Sequence, residues 1–286
     1  MSDRTDEIRA FLARAQAARR VGAGASGSVA TAAVVAIPRP DAAPEVGHWD
    51  CAQLSGRLVE LSGVGAVASL TAAVGLVLDA QRRGDPVAWV TLPESTFYPP
   101  DVADSGVDLD ALIVIRVPIP TRRAPTLPSP LDGWRDRRRA PSTLSVSPDE
   151  RAALHAVACE AAARAADRLV RSGGFGLVVL DLGKDAEVSA GLQGRLAGLA
   201  QRHDSAIVCI TEKPPEAASL GSMVSLRAEA MRRVERAVGV AGAGAAGTGP
   251  GLTAERFACQ VRVLKDKRRA PSWSHAEVVR APAGLR

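Results

Sequence analysis

Short, almost unbroken apolar runs alternate along this chain with longer stretches in which apolar positions return every three or four residues. The runs 57–61 (RLVEL), 87–91 (VAWVT), 112–117 (LIVIRV), 176–181 (GLVVLD) and 206–211 (AIVCIT) read as strands. Residues 66–83, 148–171 and 188–203 read as helices, and a short helical turn fits 99–106. Gly84 closes the first helix and Gly173-Gly174 the second. Pro148-Asp149-Glu150 opens the long Ala-rich helix, with proline and acids in the favoured first turn. Strands that are apolar on both faces and spaced by helices predict an α/β fold, a parallel sheet with helices on both faces. The pattern changes after residue 221. Residues 222–235 alternate, and 257–265 and 274–279 read as antiparallel C-terminal strands, separated from 222–235 by a Gly/Ala-rich loop at 239–251.

Two stretches do not belong to this core of about 51–286. Residues 1–20 predict an N-terminal helix in which Ile8, Phe11, Leu12 and Ala15 share one stripe while Arg9, Arg14, Arg19 and Arg20 lie mostly off it. Residues 21–50, rich in Gly, Ala and Pro, read as a flexible linker. Inside the core, 119–148 carries six prolines and an arginine run, and reads as an exposed insertion.

Composition sharpens this picture. With 47% apolar residues but only 3% aromatics, a large core must be built from Ala, Val and Leu. The net charge of +5 admits an acidic partner or nucleic acid without requiring either. Cys51, Cys159, Cys209 and Cys259 form no CxxC pair, which fits reduced, buried thiols in a cytoplasmic protein. The start MSDRTDEIR has no apolar signal segment, and no run is long enough to span a membrane. His48 and Cys51 lie three apart without further ligands, the histidines form no HxxxH, and no GxSxG elbow occurs.

The turn after the first strand is the most informative element. Glycine-rich strand-to-helix turns cradle phosphates, because backbone N–H groups and the helix start favour an anion there. A P-loop requires GxxxxGK[ST]. Counting from Gly63 through Gly65, the second glycine is replaced by Ala68, the lysine by Ser69 and the magnesium-binding hydroxyl by Leu70. Without a cation on the transferring phosphate, most of what a protein contributes to phosphoryl transfer is gone. The same turn also fits GxGxxA, the dinucleotide fingerprint, and a plain packing turn of small residues.

In order and spacing, 56–63 (GRLVELSG), 80–90 (AQRRGDPVAWV), 105–114 (SGVDLDALIV), 172–181 (SGGFGLVVLD) and 261–271 (VRVLKDKRRAP) resemble the core of the RecA family, over about 54–279 with gaps. The phrase WVTLPESTFYPP (89–100) and the lysine-free turn are most similar to the ImuA (SulA-like) branch, accessory proteins of damage-induced mutagenesis associated with an error-prone polymerase cassette. The Pro/Arg insertion is not a general feature of that family.

The resemblance implies roles by position. Glu94 stands where the family has a water-activating glutamate, given a one-residue insertion, and Asp181 matches a magnesium-linked aspartate. Glu212 falls on a nucleotide-sensing glutamine, and Lys265 and Lys267 match lysines that reach a neighbouring subunit's ATP. Arg268 and Arg269 extend that basic edge. From the residues alone, Asp181 equally suits a strand-end capping acid and the lysines a solvated pair. Trp134, Arg135, Arg137, Arg138 and Arg139 could contact phosphates, with Trp134 stacking on a base, bind an acidic protein surface, or form a solvated linker. The segments after Asp181 and after Glu212 are short for DNA-gripping loops. The expectation is a non-catalytic accessory protein in translesion synthesis, cytoplasmic and nucleoid-associated. It would require no cofactor, though weak ATP binding stays open, and would bind RecA, an ImuB-like polymerase partner or both, with at most indirect or weak DNA contact. An active RecA-type ATPase and a dinucleotide-binding oxidoreductase are the alternatives.

Overall fold

A computed structural model describes residues 46–65, 67–93, 95, 97–119, 147–235, 256–269 and 273–279. The expected N-terminal helix, most of the linker and insertion, and the 239–251 loop lie outside the described residues.

The described chain begins with the short helix α1 (Cys51–Leu54), capped by Asp50, whose carboxylate accepts from the Gln53 amide at 2.9 Å. Strand β1 (Arg57–Ser62) follows, then helix α2 (Ser69–Arg82), β2 (Val87–Thr91), α3 (Pro99–Asp104) and β3 (Leu112–Arg116). After the insertion come α4 (Pro148–Arg171), β4 (Leu177–Lys184), α5 (Ala190–His203) and β5 (Ala206–Glu212). Three strands close the described fold: β6 (Leu226–Glu235), β7 (Arg256–Asp266) and β8 (Ser274–Val279).

All eight described strands form one sheet in the order β3-β2-β4-β5-β1-β6-β7-β8. β1 to β5 pair in parallel, as their two-sided apolar runs predict. β7 and β8 add antiparallel, also as expected. β6 differs from its C-terminal companions, because it pairs in parallel with β1, Val59 opposite Leu226. Residues 213–225 carry the chain across β1 without a helix, so the hydropathy pattern alone does not reveal that crossover.

Strand alternation sends side chains to two separate cores. Val59, Leu61, Trp89 and Val208 meet α2 and α3 on one face. Leu58, Ala88, Val90 and Ile207 meet α4 and α5 on the other. Ala158, Ala162, Ala163 and Ala166 give α4 a small-residue face, so the helix lies close to the sheet without aromatic filler. Ser147 caps α4 by accepting from the Glu150 amide at 3.1 Å, and Gly173 leaves it with φ +69°. All four cysteines are free and buried. Among the described residues, no helix is long and apolar enough to cross a membrane.

Candidate functional site

In open α/β sheets ligands bind outside the carboxyl ends of the strands, where connections diverge to opposite faces. Here that point lies around β1 and β4, which flank β5. The chain leaves β1 through α2 on one face, and returns to β4 through α4 on the other. Buried polar side chains collect at these carboxyl ends: Ser62, Thr91, Asp181 and Thr211, with Ser69 at the start of α2.

The turn itself is bent away from anion binding. The Val67 amide donates to Gly65 O at 2.8 Å and the Ala68 amide to Ala230 O at 3.1 Å. Val67 also forms an antiparallel bridge with Met231 of β6. These bonds consume two N–H groups of the kind a phosphate cradle aims at its ligand. They also explain why α2 starts at Ser69 and not at 66: Gly65 turns left-handed at φ +80°, and residues 67–68 are held to β6. A Cβ on Gly63 would stand 2.7 Å from Val67 Cγ1 and 3.3 Å from Ala230 O, so a side chain there would push Val67 aside. Ala68 caps α2 without a side-chain acceptor, Leu70 is partly buried, and the buried Ser69 hydroxyl has no hydrogen-bond partner among the described residues. Val64 and Val67 are 55% and 43% exposed, so the tip that would meet phosphate presents branched apolar side chains instead.

Asp181 lies one residue before the end of the buried part of β4, which closes with Leu182, and is only 6% exposed. Its carboxylate accepts a hydrogen bond from the Ser95 hydroxyl, which in turn accepts from the Phe97 amide at 3.0 Å. Burial pushes the Asp181 carboxyl above its ordinary range, and the Ser95 bond offsets only part of that. Glu94 lies outside the described residues. Glu212 is exposed at the end of β5, across from Lys184.

A second buried carboxylate, Glu60 in β1, is fully enclosed. Lys213 Nζ stands 2.6 Å away, and Thr211 Oγ1, Ser219 Oγ and the Leu220 amide donate at 3.0, 2.8 and 2.8 Å. Arg227 completes the cluster at 3.9 Å and donates to the carbonyls of Ala217 and Pro214. Burial opposes the charge of Glu60, but Lys213 and these donors outweigh it and hold the carboxyl below its ordinary range. The segment after β5 is thereby clamped to the sheet. The signal for this was present: a glutamate inside the apolar run LVEL demands partners.

The basic C-terminal edge is largely engaged within the chain. Lys267 Nζ donates to Ser222 O, and Arg268 donates to Ser55 O at 3.0 Å and Gly56 O at 2.7 Å. The Arg269 amide donates to Asp266, leaving its side chain exposed. Lys265, opposite Arg227, is half-buried, and burial together with Lys267 lowers its pKa. Asp266 pairs with the buried Arg57 and anchors this edge to the start of β1. Trp134, Arg135, Arg137, Arg138 and Arg139 lie outside the described residues. His155 Nε2 sits 3.4 Å from Cys159 Sγ, but burial raises the thiol pKa, away from a reactive thiolate. No group of metal ligands occurs among the described residues.

The chain matches no family model and no curated protein.

Proposed function

We propose that this chain is a RecA-like accessory protein of translesion DNA synthesis that works by binding partners rather than by hydrolysing ATP. The observation that carries the reading is the turn at 63–68. Two of its amides bond within the protein, its lysine position is Ser69, and its tip exposes Val64 and Val67. Such a tip suits a protein contact, since apolar branched side chains gain from burial and cannot grip a phosphate. The clamped segment after β5 supports the same reading, because Glu60, Lys213 and Arg227 hold it against the sheet rather than free to wrap DNA.

RecA and an ImuB-like polymerase are the partners proposed, on the strength of the sequence resemblance, and the setting is the cytoplasm near the nucleoid. A second reading, weak nucleotide binding without hydrolysis, draws on Asp181 and the Ser69 hydroxyl, which among the described residues have one hydrogen-bond partner and none. The test is co-sedimentation of the full chain with RecA filaments held in their ATP-bound state, and affinity capture with the polymerase partner. Saturable association with either supports the proposal. Association with neither ends it.

A further inference from the structure

Away from the carboxyl ends, a groove of about 380 Å³ runs between α2 and the edge strand β8. Its floor is apolar, with Trp49, Ala72, Leu78, Cys259 and Val261. Three acids, Asp50, Asp79 and Glu277, line it against one arginine, Arg82. An acid-lined groove is unexpected on a chain of net charge +5, and it selects for a basic occupant. Gly75 lines the groove in the middle of α2, where glycine costs about 1 kcal/mol relative to alanine. A Cβ on Gly75 would meet nothing within 4 Å, so no described contact within the chain requires its absence. The wall at Gly75 is therefore low, with open space in which a segment could pack.

We propose that this groove seats the chain's own N-terminal segment, residues 8–20. That segment carries Arg9, Arg14, Arg19 and Arg20 and no acid, and places Ile8, Phe11, Leu12 and Ala15 on one stripe at helical spacing. Phe11 and Leu12 suit the apolar floor, and the arginines suit Asp50, Asp79 and Glu277. Geometry favours the segment's own copy. His48 and Asp50 line the groove on either side of Trp49, so the chain enters the described fold at the groove itself. A Gly/Ala-rich tether of the length of 21–45 has a root-mean-square reach of about 25–30 Å, which keeps a tethered segment at high effective concentration. The inference stands apart from the proposed function, because it uses neither the turn at Gly63 nor any partner.

A photo-crosslinking residue placed at position 11 of the full chain tests it. The expected result is crosslinks to 71–82 or 274–277, with a yield independent of protein concentration. Gly75→Leu should fill the groove and lower that yield roughly tenfold while leaving the unfolding midpoint no lower. Glu277→Arg, an exposed change, should lower it about two- to fivefold. Crosslinks that map elsewhere, no crosslinks, a yield that rises with concentration, or no response to either substitution would overturn the proposal.

Discussion

Two buried carboxylates in the carboxyl-terminal half of the sheet have opposite fates. Glu60 is surrounded by Lys213, Arg227, two hydroxyls and an amide. Among the described residues, Asp181 has one side-chain hydrogen bond, from Ser95. The pKa of Glu60 is held down and that of Asp181 is pushed up. Desolvation opposes both charges, and the number of partners decides which way the balance falls. A carboxylate with its partners complete is structure. A carboxylate left short of partners is strained, and such groups cluster where proteins bind something. The clamp around Glu60 holds the fold together, and Asp181 lies at the carboxyl end of the sheet, beside the turn on which the proposed function rests.

The largest expected effect breaks the clamp. Glu60→Ala leaves Lys213 and Arg227 buried without their counter-charge and should cost about 3–5 kcal/mol in urea unfolding. Amide exchange in 213–225 should quicken with it. The linkage sign follows from the lowered pKa: the Glu60 contribution is complete above the ordinary carboxylate range and is lost as pH falls through its depressed folded value.

The next change addresses the turn after β1. Val64→Asp alters a side chain that is 55% exposed, so stability should move by no more than about 0.5 kcal/mol. Partner affinity should fall at least about tenfold, as for a central apolar contact. Equal binding by the variant in the co-sedimentation assay would remove the turn from the interface.

Asp181→Asn should act in the opposite sense to the Glu60 change and raise stability at neutral pH by about 1 kcal/mol, the usual size of a single stabilising exchange. Because the folded pKa of Asp181 is raised, its contribution is complete below the ordinary aspartate value and fades as pH rises through the folded one. The stability gained by the variant over the parent should therefore be larger at pH 8 than at pH 4, read by urea unfolding at both. Smallest is Ser69→Ala. It removes an orphan hydroxyl from a helix start and should be neutral or stabilising by up to about 0.5 kcal/mol. A clear loss of stability in thermal unfolding would mean that the hydroxyl has a partner.

The clamp and the turn after β1 also differ in how far the sequence reveals them. The apolar runs disclosed β1 to β5, and the missing lysine was visible at Ser69. The alternation in 222–235 disclosed a strand but not its direction, since β6 earns its parallel place only through pairing with β1. The closure of the turn was hidden for the same reason. It depends on Ala230 and Met231, far along the chain, meeting residues 67 and 68. Glu60 announced a buried charge, while its partner Lys213 looked like any surface lysine until the fold placed it 2.6 Å away. Lys267 and Arg268 were legible as a basic edge, but their bonds to Ser222, Ser55 and Gly56 are tertiary.

Titration of the full chain with a fluorescent ATP analogue, with and without magnesium, tests most directly whether the turn at Gly63 has given up its phosphate. The expected result is no tight saturable binding and no gain from magnesium, with any residual binding weak and in the millimolar range, where a few unassisted amides leave a phosphate ligand. Saturable binding at micromolar concentration that requires magnesium and is displaced by ADP would contradict it.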